Sequence, residues 1–386
     1  MRRSNWLLPE FISDILPAEA RNLEELRRKL LDLYQHSGFE LVAPPLVEFT
    51  ESLFAGQRTD LPLKTAKVID QLSGRTMGLR PDITPQVTRI DAHLLNRQGV
   101  TRLCYCGVVF HALPNDLIGD RELVQIGAEI YGYDGVEADL QIISLAYETL
   151  KVAGIDDATL DLNHPAIMRA LLAAHPALEN EADKLNAFVR EKAITSLKLF
   201  LSQLDDVPAE IKEALLTLPQ LYGGKEIIAE ARERLPKMPE IQEALDELDE
   251  VAKRFPSVSV DLADISGYDY HTGISFALYV EGWHNAVVRG GRYDKVAHAY
   301  GRNRPATGFS LNLRSLVQGL PAAEPAEAIK TAWSDDKDQL AKIQQLRAEG
   351  HIVVQIFPNT EQVNEEYIFT RELVFVNNQW QLKSIS

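Results

Sequence analysis

Positive charge is what this chain lacks. Its 386 residues carry 40 lysines and arginines against 56 aspartates and glutamates, a formal charge of −16, and such a surface repels a polyanion. Free nucleic acid is therefore excluded as the main partner unless a local basic patch overrides the total. Cysteine is nearly absent as well. Cys104 and Cys106 are the only two, and on a strand their spacing turns both to one face. With no histidine or carboxylate cluster beside them they make no structural zinc site, so the expectation is buried free thiols in a reducing cytoplasm, with no metal and no cofactor. Long apolar runs are missing too: none approaches the ~18 residues of a membrane span. The start of the chain, basic over Met1 to Arg3 but interrupted by Glu10 and Asp14, does not read as an export signal. What remains, with 45% hydrophobic residues, is a globular chain large enough for two or three domains.

Apolar periodicity organises that chain. Leu23, Leu26, Leu30, Leu33 and Tyr34 recur at helical intervals and Gly38 follows, which predicts a helix over about 17–37. An extended segment, 39–48, is bent by Pro44 and Pro45. A helix is expected from Ile83 to Asn96, entered through Thr84 and Pro85. Leu103 to Gly132 reads as a strand, a polar loop and a returning strand, and 135–153 as a second amphipathic helix. From about Asn163 to Phe255 the composition turns to Ala, Leu, Glu and Lys, which predicts a helical insertion. Strands resume at 257–262, 274–280 and 286–288, with Gly290, Gly291 and Gly301 as turns. Residues 322–328 read as a linker, followed by a helix over 340–349, a strand over 351–357 and a hairpin around Asn377 and Asn378. The expected division is a domain over 1–320 carrying the insertion at 163–255, and a small α+β domain over 321–386.

Several residues suit chemistry. Asp82 and Thr84 stand at a helix entrance, Gln125 and Glu129 are four apart, and Tyr270, His271 and Tyr293 lie near glycine-rich turns. Carboxylates with amide and hydroxyl groups suit an ammonium and an imidazole, both of which need acceptors in a desolvated pocket. Each has an ordinary alternative: Asp82 and Thr84 as plain helix caps, Glu129 as a solvated strand residue, the tyrosines as half-buried packing. The segment Arg289 to Asp294 lacks the Gly-Lys-Ser ending of a phosphate loop, so a tight turn between strand and helix is expected there. No nucleophile elbow is present.

In their order these segments resemble the catalytic domain of histidyl-tRNA synthetase, a class II synthetase, from about Leu7 to Leu320. Asp14-Ile15-Leu16-Pro17 with its helix, and Gly38-Phe39-Glu40 leading to Pro44-Pro45-Leu46, resemble the first class II motif, which in that family builds a dimer interface. Leu79-Arg80-Pro81-Asp82-Ile83-Thr84-Pro85 is similar to the segment that holds the amino group of histidine. Gly107 to Glu129 is similar to the second motif, with Gln125 and Glu129 on histidine-binding positions. Gly267-Tyr268-Asp269-Tyr270-His271-Thr272-Gly273 and Gly290-Gly291-Arg292-Tyr293-Asp294 resemble the two histidine signatures, and Thr307 to Arg314 the third motif. The resemblance implies an α+β fold: a six- or seven-stranded, mostly antiparallel sheet of class II type with flanking helices, a helical insertion and a small C-terminal α+β unit.

Most departures from that pattern remove cations or their partners. His111 stands where the family has its nucleotide-binding arginine, and Leu113 replaces the acidic residue two further on. Ser266 replaces the arginine that assists activation, and Ser315 the terminal arginine of the third motif, with Arg314 one place early. A charge-assisted hydrogen bond contributes about 1.5–3 kcal/mol, so three losses amount to roughly a thousandfold or more. Adenylate formation is expected to be lost while an amino-acid pocket of Asp82, Thr84, Gln125, Glu129, Tyr270, His271 and Tyr293 persists; His271 itself stands where that family has tyrosine. The anticodon-binding domain is missing in recognisable form, and no tRNA partner is expected. A chain of this kind resembles the regulatory subunit of ATP phosphoribosyltransferase, which implies a separate short-form catalytic subunit as partner, histidine as ligand, a homodimer core within a hetero-oligomer, and no catalysis of its own. The alternative is a divergent class II ligase that activates histidine.

Overall fold

The computed structural model describes residues 6–55, 61–114, 119–265, 270–321, 324–360 and 367–385. Contacts divide the chain into two units, one of Met1–Ser13 with Glu25–Gly319 and the other of Asp14–Glu24 with Leu320–Ser386.

The larger unit is built on a nine-stranded sheet. In spatial order its strands are Glu40–Leu41, Thr101–Phe110, Glu122–Tyr131, Ala306–Asn312, Val288–Arg292, Ser275–Tyr279, Thr159–Asn163, Val258–Asp261 and Tyr222–Gly223. The six strands from Thr101–Phe110 to Thr159–Asn163 pair antiparallel. The sheet exceeds the expected six or seven strands because its two outermost members are two residues long, too short for an alternation to be read. Val288–Arg292 corrects a second expectation: Gly290 and Gly291 are strand residues, paired with Phe276 and Ser275 on one side and Phe309 and Gly308 on the other, and the turn comes only after them.

Strand alternation assigns each face. Leu103, Tyr105 and Val109 join Tyr131, Ile83 and Val87 in one buried cluster, whereas Cys104 faces the other way, beside Leu31 and Gln35 of the helix Pro17–His36. On that second face Tyr34 meets Phe309 edge to face at 6.0 Å and accepts a hydrogen bond from Thr149 of the helix Val136–Val152 at 3.2 Å. Two helices thus cover one side of the sheet, which frees the other for a site. Burial pushes the Cys104 thiol up to about 12, so it stays a thiol at neutral pH.

The site face is closed over by the segment after Gly78. A three-stranded sheet, Val47–Phe49, Thr76–Leu79 and Lys67–Ile69, delivers the chain to Arg80. Its guanidinium is buried and donates to the carbonyls of Val108 (2.8 Å) and Pro44 (2.7 Å). The helix that follows is α-helical over Thr84–Arg89 and π-helical over Ile90–Leu95, ending at left-handed Asn96. Asp91 in that wider turn is fully buried and ion-paired with Arg304 at 2.7 Å. The insertion is helical from Ala166–Ala173 to Pro239–Arg254, with only Tyr222–Gly223 extended.

The smaller unit has a four-stranded sheet in the order Ile352–Ile356, Ala326–Ala332, Tyr367–Val376, Gln379–Ser384, with the helix Lys337–Ala348. Its core is Ile329, Ile343, Leu346, Val353 and Leu373, with Trp380 against them. Residues 326–328, expected as linker, open the first of these strands: Ala and Glu in isolation favour no strand, and pairing with two neighbours imposes it. Asn377 and Asn378 both have positive φ, as a two-residue hairpin turn requires.

Candidate functional site

Thr84, Glu129, Tyr270, His271, Tyr293 and Asp82 line one cavity of about 280 Å³ on the site face. Four separate parts of the chain supply them. Asp82 and Thr84 come from the entrance of the helix Thr84–Arg89, Glu129 from the second hairpin strand, and Tyr270, His271 and Tyr293 from the turns flanking Ser275–Tyr279 and Val288–Arg292.

The cavity has its room because the sheet beside Glu129 and His271 carries glycine. Glu129 pairs with Gly308, and Gly308 with Gly291. A Cβ on Gly308 would stand 2.6 Å from the Glu129 side chain, and one on Gly291 2.9 Å from the His271 ring. Glycine is therefore needed at both positions for room.

Glu129 is 1% exposed, and Tyr131 donates a short hydrogen bond to it. Burial pushes its carboxyl up to about 7, only partly offset by the hydroxyls of Tyr131, Thr84 and Tyr293. Desolvation, followed by the field of Glu129, in turn holds the hydroxyls of Tyr131 and Tyr293 far above their ordinary value, so both remain protonated. The Tyr293 ring stacks on Tyr270 with centroids 4.9 Å apart, and Tyr270 meets the His271 ring at 5.3 Å. The loop carrying these rings is fastened from two sides. Arg169, on the first helix of the insertion, donates to the carbonyls of His271 (2.8 Å) and Thr272 (2.6 Å). The Thr272 hydroxyl donates to Asp294 at 2.9 Å.

Gln125 behaves differently from the other six. It stands beside the cavity and braces it: its amide nitrogen donates to Asp82 (3.0 Å) and Ser310 (3.2 Å), and its oxygen accepts from the Ile83 backbone at 2.9 Å. Asp82 also accepts from the Thr84 backbone at 3.1 Å, so it caps the turn and lines the cavity at once. The cavity has further walls in Ser275, Phe276, Arg289 and Ser310. None of these was singled out as a site residue in the sequence: Ser310 and Arg289 lie in segments read as a motif and a turn, and Ser275 and Phe276 match no motif.

The other end of the hairpin is built to satisfy itself. His111 is buried, its Nε2 donating to the Pro81 carbonyl at 2.9 Å. Arg121 donates to the His111 carbonyl at 3.0 Å and lies over the Phe110 ring. Arg314 is buried and engages Asp120 at 3.2 Å and Ser13 at 2.9 Å. Ser315 accepts from Asn312. Ser266 and Gly267-Tyr268-Asp269 lie outside the described residues, as does part of the loop between Pro114 and Arg121. Among the described residues no cluster of three or more His, Cys, Asp or Glu is placed to hold a metal ion, and no helix is long and apolar enough to cross a membrane.

A mostly antiparallel sheet of this topology, with a carboxylate-lined cavity on the face opposite the helices Pro17–His36 and Val136–Val152, defines a class II synthetase-like protein. Residues 11–316 match the family model for histidyl-tRNA synthetase, and residues 326–383 the model for the ATP phosphoribosyltransferase subunit HisZ C-terminal domain. The ATP phosphoribosyltransferase regulatory subunit of Bordetella petrii is 54% identical over 99% of this chain and all of its own length. That of Ralstonia nicotianae is 50% identical, covering 98% of both chains. Among solved structures, an ATP phosphoribosyltransferase regulatory subunit/histidyl-tRNA synthetase from Bacillus halodurans superposes with a TM-score of 0.82 at 26% identity, covering 94% of this chain and 97% of the other. Histidyl-tRNA synthetase from Nostoc shares the fold, with a TM-score of 0.76 at 18% identity over 99% and 95% of the two chains. The chain belongs to the family of ATP phosphoribosyltransferase regulatory subunits of histidine biosynthesis, non-catalytic paralogues of histidyl-tRNA synthetase.

Proposed function

We propose that the cavity is a receptor for free histidine, and that this regulatory subunit joins a separate short-form catalytic subunit of ATP phosphoribosyltransferase and passes histidine occupancy on to it. The observation that carries the reading is Glu129: a carboxylate 1% exposed, facing hydroxyls and an empty floor, beside a second carboxylate at Asp82. An ammonium or imidazolium group supplies the positive charge that such a site stabilises, and the rings of Tyr270, His271 and Tyr293 offer flat walls to an imidazole. A triphosphate is opposed by the same two carboxylates, and the arginines nearest the hairpin exit are committed to Asp120, Ser13, Phe110 and a backbone carbonyl.

Histidine acts here by population shift: it favours whichever arrangement of the assembly binds it more tightly, and only that difference in affinity moves the catalytic partner. The assembly is a hetero-oligomer around a homodimer of this chain, in the cytoplasm, without tRNA. Calorimetry on the purified chain tests the ligand: histidine binds and ATP does not. Tight ATP binding, or histidine-dependent exchange of pyrophosphate into ATP, would instead favour the divergent-ligase reading. Co-purification with the short-form catalytic subunit tests the partner, whose activity is expected to fall when this chain is omitted.

A further inference from the structure

Among the described residues lining the cavity, Arg289 is the only lysine or arginine. The guanidinium groups around it hold other posts: Arg292 is paired with Asp139, Arg169 with loop carbonyls, Arg80 with the carbonyls of Val108 and Pro44. Arg289 has one long hydrogen bond, to the Tyr279 hydroxyl at 3.4 Å, and is exposed. It pairs across the sheet with Ser310 and Ala277, and Asp161, next in that row, feels its charge without forming an ion pair.

The register fixes where this charge lies. Glu129 and Gly291 occupy one cross-strand row on either side of Gly308, and Arg289 is two residues along its strand from Gly291. At ~4.8 Å between strands and ~3.4 Å per residue, the two Cα atoms are about 12 Å apart, across a glycine floor. Side chains standing off the sheet at these two positions bracket a space on the scale of one small zwitterion, with the Arg289 guanidinium leaning toward Tyr279 at the outer end. The cavity is thus bipolar, with Glu129 and Asp82 at its acidic end and a single guanidinium at the other.

We infer that Arg289 is the anchor for the α-carboxylate of the bound amino acid, a specificity-determining residue that makes the cavity a receptor for amino acids rather than for amines. The inference rests on the histidine-receptor reading of the cavity and adds to it the group that reads the ligand's negative end. A carboxylate matches the planar donor fork of arginine bidentately. One guanidinium suits one carboxylate, whereas a polyphosphate brings more negative charge than it balances, into a cavity that already holds two carboxylates.

Calorimetry with histidine and with histamine, which lacks the carboxylate, tests this on the full chain and on Arg289→Ala and Arg289→Lys. Wild type is expected to prefer histidine by roughly tenfold to a hundredfold. Arg289→Ala is expected to bind the two alike, with histamine affinity unchanged within about twofold, and Arg289→Lys to keep part of the preference. Because Arg289 is exposed, its melting temperature serves as the folding control. A preference for histidine that survives in Arg289→Ala overturns the assignment, as does an equal loss for both ligands. Loss of ATP affinity in place of histidine affinity would make Arg289 a phosphate contact. If wild type takes neither imidazole compound, the receptor reading falls, and this inference with it.

Discussion

Glu129 and Asp139 are both carboxylates with almost no exposure, 1% and 2%, on opposite faces of the same sheet, and they have been treated differently. Asp139 accepts from Arg292 at 2.6 and 3.1 Å. Burial raises its pKa even so, outweighing the guanidinium, but the charge it carries is answered inside the protein. Asp91 is answered likewise by Arg304. Glu129 has hydroxyl partners and no cation within ion-pair reach among the described residues. A buried carboxylate matched from within holds a fold together. One left unmatched costs stability until something from outside matches it, and that difference separates scaffold from site.

The comparison breaks most sharply on the matched side. Asp91→Ala leaves Arg304 buried without its partner and is expected to destabilise the chain by about 3–5 kcal/mol, visible as a large drop in thermal midpoint without ligand. Glu129→Gln is the counterpart: it removes the unmatched charge but keeps a hydrogen-bond acceptor for Tyr131. Histidine affinity is expected to fall by roughly a hundredfold in calorimetry, and histidine inhibition of the reconstituted transferase to disappear. Its effect on stability has the opposite sign and depends on pH. Glu129 is raised from 4.5 to about 7 on folding, so the native state holds the proton more tightly. Wild type therefore loses stability as pH rises from about 4.5 to 7 and carries the full penalty above that. Ligand-free Glu129→Gln should melt higher than wild type at pH 8 and at nearly the same temperature near pH 4; equal melting points at pH 8 would mean that Glu129 is not strained by its burial. The smallest effect is expected of Arg169→Ala, which frees the carbonyls of His271 and Thr272. Histidine affinity should drop severalfold with little change in melting temperature, and no drop would mean that the insertion does not help to position the aromatic wall.

Much of this was legible in single residues. The spacing of Leu26, Leu30 and Tyr34 marked the buried stripe of the first helix, and Asn377 with Asn378 marked the last hairpin. Asp82, Thr84, Glu129, Tyr270, His271 and Tyr293 were picked by chemistry and by resemblance, and they line one cavity. Gln125 was read as a ligand-binding side chain, and the sequence did not show that its amide also braces Asp82, since nothing in a sequence says which partners an amide will satisfy. Gly290 and Gly291 were read as a turn because isolated glycines punctuate chains; pairing on both sides made them strand. Arg289 was read only as the start of a glycine turn, because its place across the sheet from Glu129 is set by strand register.

By itself the sequence determined the periodicities that set helices and strands and the negative balance of charge. These are local or additive properties, readable without knowing what touches what. Only the tertiary structure decided which carboxylates are matched, which arginines are already committed and which glycines open a floor, because desolvation and ion pairing depend on neighbours that strand register brings together from 175 to 187 residues apart.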